Sequence, residues 1–402
     1  MSLVDALPTE IWFLIFEYAT KVTPVHQGSV LRWERTSYTD TLALVRDSTA
    51  TKKALILTCK RWMDFVKPSL HEWIILRQPK SLQTLVQDMQ PTNAHSRAPG
   101  EPSPWSLTKR LDITLHTLTD GYDSLIATVL SNMPNLQELN FALNARSYID
   151  YPLDVAIARA IRTCSSLRIL NWYTQVLLPM PRGWHDILAA MPLLEVTTCV
   201  HSLRTWPYND NPPVPLLPKL TTLLTSAHCN GCLSTTPCAM PALRNLVYSD
   251  RSLSFNPGRF RADQTWRNAQ FFEQRGKQIM GLYLDADEDG IFLDKVVAHC
   301  SGLDTLHMTV HLPGPVLSRE FPPSVKSLHI CNQLDIRLGL SLADVLYQLL
   351  RVMAERPAQP TPTLRTMQLV HLDHVLNLSV VRTQFRWIQD VELQDCMGRA
   401  IW

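Results

Sequence analysis

The feature that most constrains this chain is a recurring apolar-x-x-apolar-x-apolar segment. Eight copies are intact: Leu136/Leu139/Phe141, Leu167/Leu170/Trp172, Leu243/Leu246/Tyr248, Ile279/Leu282/Leu284, Leu303/Leu306/Met308, Val325/Leu328/Ile330, Leu364/Met367/Leu369 and Ile388/Val391/Leu393. Two are degraded, Leu194/Thr197/Cys199 and Leu220/Leu223/Thr225, and Leu111/Ile113 begins the series as a partial unit. Alternate residues of a strand share a face, so the last two anchors point one way while the leading one seals the layer beneath. A unit with only one such stripe cannot close a core alone and has to stack on its neighbours.

The middle anchors recur at intervals of 22 to 39 residues, most of them in or near the roughly 20–29-residue period of leucine-rich repeats. Helical spacing recurs between them, over residues 123–132, 153–163, 184–191, 293–300 and 341–355, the last opened by a capping box of Ser341 and Asp344. Strand, loop, helix and loop repeated in one direction predict an α/β fold, a parallel curved sheet backed by helices in an irregular leucine-rich-repeat-like solenoid. Asn144 and Cys396 fit the turn position where regular repeats carry Asn or Cys, whereas Gln175, His228, Arg251, Asp287, His311, Gln333 and Leu372 depart from it. An ordinary α/β domain with leucine-rich strands is the alternative. Pro-rich stretches at 91–104, 207–218 and 357–362 read as loops, because proline donates no ladder hydrogen bond.

Composition narrows the function classes. Of 402 residues, 46% are hydrophobic and 18% charged, including sixty leucines, so disorder is not the dominant state. Lys plus Arg number 38 against 36 Asp plus Glu, a balance that removes the main driving term for nucleic-acid binding. No apolar window has the length of a membrane span, and Met1 to Asp5 lacks the basic start of a secretory signal. Nine scattered cysteines fit reduced thiols. The expected compartment is cytoplasm or nucleus, with no membrane and no nucleic-acid partner.

The first eighty residues have a different pattern. Leu7, Ile11, Leu14 or Ile15, and Tyr18 fall on one helix face, with Pro8 in the first turn where its missing N–H has no partner to lose. A second helix is expected over 51–66, with Leu55, Cys59, Trp62 and Val66 as its stripe, ended by Pro68. Two amphipathic helices this short have to pack on each other or on a partner.

Leu7-Pro8, Glu10-Ile11 and Ile15-Phe16, then Leu57-Thr58-Cys59-Lys60-Arg61-Trp62, then Pro68-Ser69-Leu70-His71-Glu72-Trp73 resemble the F-box motif. The resemblance covers about residues 5–80 and departs from the usual spacing by an insertion at about 21–50. It implies a module at 1–80 that docks on a Skp-type adaptor and, through it, on cullin and RING subunits of a ubiquitin ligase. Leu7, Pro8, Ile11, Ile15, Phe16, Leu57, Cys59 and Trp62 are the expected adaptor-binding residues, some of them serving internal packing instead. A linker at 81–106 and the repeat domain at 107–402 complete the expected organisation.

Other motifs are weaker. Asp285-Ala286-Asp287-Glu288-Asp289-Gly290 copies the start of a calcium loop, but position twelve is Val296, and strand-like residues precede it. His228, Cys229, Cys232 and Cys238 are zinc-type ligands without a second spaced pair; they define the alternative of a metal- or thiol-dependent hydrolase. Nucleophile-elbow and phosphate-loop motifs are missing from the sequence. The expected protein is therefore a non-enzymatic target receptor without cofactor or metal, or else a repeat scaffold without a ligase connection. Its target protein is expected on the residues between the last two anchors, which point away from the core: Asn140, Asn171, Tyr283, His307, His329, Gln368 and Glu392.

Overall fold

The structure, a computed structural model, describes residues 7–20, 35–90, 103–115, 121–141, 151–172, 177–178, 181–198, 215–226, 240–249, 271–285, 299–310, 324–332, 365–370 and 392–394. The chain divides into two compact units, residues 1–194 and 195–402. Residues 1–194 are α/β and the described part of 195–402 is mostly strand, and every described strand pairing is parallel.

In residues 1–194, three helices come first: α1 (Thr9–Thr20), α2 (Arg35–Thr58) and α3 (Lys60–Leu70). Strand β1 (Trp73–Leu76) follows with only two residues between, then α4 (Pro79–Met89), β2 (Arg110–Ile113), α5 (Tyr122–Ser131) and β3 (Glu138–Phe141). The two-residue strands β4 (Tyr151–Pro152) and β6 (Leu177–Leu178) pair with each other around α6 (Val155–Thr163) and β5 (Ile169–Trp172), and α7 (Pro181–Ala189) ends the series. The main strands run in the order β1-β2-β3-β5. Register brings the anchors into line, Ile74 to Leu111, Leu111 to Leu139 and Leu139 to Leu170.

Residues 195–402 continue the arithmetic: β7 (Val196–Thr198), β8 (Thr222–Ser226), β9 (Asn245–Ser249), β10 (Gly281–Asp285), β11 (Thr305–Val310), β12 (Ser327–Asn332), β13 (Thr366–Val370) and β14 (Glu392–Gln394). They lie side by side in sequence order. Thr197, Leu223, Leu246, Leu282, Leu306, Leu328 and Met367 fall in one row, matching the expected middle anchors.

Several of the described strands are entered in the same way. The carbonyl oxygen of Glu72 accepts from the N–H groups of both Lys109 and Arg110, at 2.9 and 3.0 Å. Lys109 does the same for Gln137 and Glu138, Thr221 for Arg244 and Asn245, and Met280 for Asp304 and Thr305. Before the leading anchor stands a further enclosed residue that the pattern omitted. Met133, Cys164, Met191, Leu217, Met240 and Cys300 are buried, and each carbonyl accepts from the leading anchor three residues on, as in Leu167 to Cys164 at 3.0 Å. Proline follows at 134, 192, 218 and 241, where its fixed φ suits the second position of the turn.

The anchor side of 1–194 is an apolar core. Leu111, Ile113, Leu139, Phe141, Leu170 and Trp172 of the strands are buried, as are Ile126, Leu130, Ile157 and Ile161 of the helices. Phe141 stacks on Trp172 at 4.6 Å between centroids, and Trp184 meets Trp172 edge-on at 5.7 Å. Full burial of one such side chain stabilises by about 1.5–3 kcal/mol.

Four expectations are corrected. The helix foreseen over 51–66 is two helices, broken at Cys59, which takes an extended conformation (φ −162°, ψ 163°) as the N-cap of α3. Pro68 lies inside α3 rather than ending it, with Ser69 and Leu70 following, so that only the last turn goes without one N–H donor to the preceding turn. The sheet begins inside the 1–80 module, and the expected linker at 81–106 is helical as far as Met89, with Leu82, Leu85 and Val86 buried. The pattern missed β1 because His71 occupies its leading position; instead of sealing a layer, that ring meets Trp105 edge-on at 5.1 Å. Last, Leu393 rather than Val391 aligns with Met367, which puts Gln394 and not Glu392 opposite Gln368. The expected helix over 341–355 and the three Pro-rich loops lie wholly or mostly outside the described residues.

Candidate functional site

Two surfaces follow from these elements. The first is helical. Helix α1 has the sequence TEIWFLIFEYAT, apolar around most of its circumference, yet among its residues only Phe16 and Thr20 are buried. Phe16 meets Trp62 of α3 at 5.1 Å and Trp12 at 5.6 Å, Trp12 meets Trp62 at 5.4 Å, and Phe13 meets Phe65 at 4.9 Å. This aromatic cluster fixes α1 on α3, and Arg61 lies over the Phe65 ring. Lys52 Nζ donates to the Ser69 carbonyl at 2.8 Å, tying α2 to α3; burial pulls the pKa of its ammonium down, against the opposing pull of Glu72.

The remaining apolar side chains face outward. Leu7, Ile11, Phe13, Leu14 and Ile15 are exposed, Tyr18 is 88% exposed and Leu57 85% exposed. Of the residues expected to dock an adaptor, Leu7, Pro8, Ile11, Ile15, Leu57 and Cys59 are at the surface; Phe16 is buried and Trp62 half-buried in the cluster.

The second surface is the strand face opposite the anchors. Alternation places Asn140, Asn171, Tyr283, His307 and His329 there, as expected, and Gln368 pairs in register with His329; the expected exposure is corrected, since Asn140, Asn171, Tyr283 and His307 are buried and His329 is half-buried. Parallel strands stand roughly 4.8 Å apart, so in-register side chains stack and shield one another. Tyr283 and His307 lie 4.3 Å apart, and His307 stacks on His329 at 5.5 Å with planes 9° apart. Glu392 is exposed but sits one strand pleat away from the row.

In residues 1–194 this face holds a continuous polar ladder. Asp112, fully buried, accepts from Trp73 Nε1 at 2.6 Å, from Arg110 Nε at 3.1 Å and from Asn140 Nδ2 at 2.5 Å. Asn140 also donates to Glu138 at 2.9 Å, and Asn171 Nδ2 donates to Asn140 Oδ1 at 2.5 Å. The guanidinium of Arg110 bridges Asp112 and Glu138, the latter at 2.8 Å, and lies 4.0 Å over the Trp73 ring. Burial pushes the Asp112 carboxyl above its ordinary value; Arg110 pulls it back and Glu138 pushes it further up. Trp73, Arg110, Asp112 and Glu138 were not among the expected site residues. The signal was present in the partial unit Leu111/Ile113, whose intervening Asp112 and preceding Arg110 share one strand face.

His228, Cys229, Cys232 and Cys238 lie outside the described residues, as does the acidic segment after Asp285. Among the described residues no three His, Cys, Asp or Glu side chains are grouped to hold a metal ion, and no helix is long and apolar enough to cross a membrane. No protein-family model and no curated protein matches this chain.

Proposed function

We propose that the chain is a substrate-recruiting subunit of a cullin-RING (SCF-type) ubiquitin ligase. In this reading the F-box-like helices bind a Skp-type adaptor, and a leucine-rich-repeat-like solenoid receives a target protein. The observation that carries it is the pair α1 and α3, pinned together by Phe16 and Trp62, while Ile11, Leu14, Ile15 and Tyr18 of α1 and Leu57 at the end of α2 stand in solvent. Such a pair has apolar surface that a second polypeptide would cover. The aligned middle anchors and the repeated two-donor strand entry support the solenoid. The subunit performs no bond chemistry. Holding a target beside a charged carrier raises its effective concentration to the order of millimolar, which makes the transfer effectively intramolecular. It acts in cytoplasm or nucleus.

Co-expression of the full chain with a Skp-type adaptor, a cullin and a RING subunit tests this. The expected result is a stoichiometric complex that Leu14→Asp and Leu57→Asp abolish without changing the circular dichroism spectrum. Recovery of the chain alone, with no adaptor retained, refutes it.

A further inference from the structure

The passage from helix to sheet in residues 1–194 has no slack in it. Only His71 and Glu72 separate α3, which ends at Leu70, from β1, which begins at Trp73. The N–H of His71 donates to the Pro68 carbonyl at 3.2 Å and that of Glu72 to the Ser69 carbonyl at 3.4 Å, so both residues still bond to the helix. The Glu72 carbonyl already serves the sheet, accepting from Lys109 and Arg110. Helical bonding gives way to strand bonding within this one residue. Every peptide unit from Leu70 to Trp73 carries a backbone hydrogen bond, and none is left to absorb the φ/ψ change of a hinge.

Side chains brace the same joint from both sides. The His71 ring meets Trp105 edge-on at 5.1 Å, and Trp105 belongs to the turn Pro104–Leu107 that leads into β2. That turn is tied onward, because Asn135 Nδ2 donates to the Ser106 carbonyl at 2.8 Å just before β3. On the helical side Lys52 Nζ of α2 reaches the Ser69 carbonyl, and the Glu72 carboxylate attracts the same ammonium. The Lys109–Glu72 ion pair, 2.8 Å long and exposed, adds little by comparison. We infer that α2, α3 and the first strands move as one body, with Trp105 and Lys52 as positioning residues that hold the docking helices at a fixed angle to β1 and β2. This rests on the target-recruiting reading and sharpens it: a flexible tether only concentrates a target, whereas a fixed joint also limits which groups the charged carrier can reach.

The test is hydrogen exchange of the purified full chain read by mass spectrometry, with ubiquitin transfer as a second readout. In the wild-type protein the amides of His71 and Glu72 exchange as slowly as those of α3 and β1 on either side. Trp105→Ala speeds them by about two- to tenfold, the worth of one aromatic contact, without changing exchange in β3 or β5. Trp105→Phe, which keeps an aromatic partner for His71, restores the slow rate, and Lys52→Met loosens the same amides from the helical side. In the complex reconstituted with adaptor, cullin, RING subunit and ubiquitin, both loosened variants carry ubiquitin on more of the chain's own lysines than the wild type does, with adaptor retention unchanged. Fast exchange at His71 and Glu72 in the wild-type chain, or indifference of those amides to both Trp105→Ala and Lys52→Met, overturns the inference. An unaltered set of modified lysines in a loosened variant overturns the positioning role. Exchange needs no adaptor, so it decides the joint even if no complex forms, and a loose joint leaves adaptor binding standing.

Discussion

Asn171 Nδ2 donates to Asn140 Oδ1 at 2.5 Å, joining two strands through residues 31 positions apart in sequence. Because Asn140 in turn donates to Asp112, one line of amide groups ends on a single enclosed carboxylate. A buried polar network of this kind is stabilising only while all its members are in place.

Acid titration should expose that dependence with an unusual sign. Burial raises the Asp112 value, so the folded chain holds this proton more tightly than the unfolded chain does. Its contribution to stability is therefore fully present below the ordinary carboxylate value of about 3.9 and is lost as pH rises through the folded value. Asp112→Asn removes that dependence. Urea midpoints of the two proteins, compared from acid to neutral pH, should shift in favour of the variant as pH rises, whatever their constant offset. A constant gap would show that Asp112 does not titrate differently on folding.

Phe16 and Leu57 are both apolar residues of the helical module, and they should behave oppositely. Phe16 is buried in the aromatic cluster and Leu57 is 85% exposed. Phe16→Ala should destabilise by about 3–5 kcal/mol. Leu57→Ala should stay within about 0.5 kcal/mol in the isolated chain. Chemical denaturation monitored by tryptophan fluorescence distinguishes them, since Trp12 and Trp62 report on the cluster.

Two glycines are required by close approach rather than by φ. A Cβ at Gly276 would collide with the backbone carbonyl of His299, and one at Gly281 would stand 2.5 Å from Asn245 Oδ1. Backbone cannot swing aside as a carboxamide can. Gly276→Ala should therefore lower stability more than Gly281→Ala, with the latter costing about 1–3 kcal/mol. Equal melting temperatures would contradict the tight packing at His299.

Thiol reactivity should separate the described cysteines. Burial pushes Cys164 up to about 11 and Cys300 to about 12, whereas Cys59 is exposed at a helix start. Iodoacetamide at mildly alkaline pH should modify Cys59 in the folded chain and reach Cys164 and Cys300 only after unfolding. Mass spectrometry of tryptic peptides gives the answer; early labelling of Cys164 or Cys300 would mean that the turn before their leading leucines opens readily.

Periodicity by itself determined the parallel α/β sheet, because stacking of units aligns whatever recurs: Leu139 with Leu170, Leu306 with Leu328. It also determined which strand residues lie opposite the core, since alternation is a property of one strand. Tertiary structure alone decided the rest. His71 hid the first strand, because the pattern requires an apolar leading residue and the fold places a ring against Trp105 instead. Val391 and Leu393 both fit the last anchor, and only pairing with Met367 selected Leu393. The helix break at Cys59 and the burial of Asn140, Asn171 and His307 likewise depend on neighbours far along the chain. A side chain's direction is set locally, but its exposure is set by what the next strand brings to the same row.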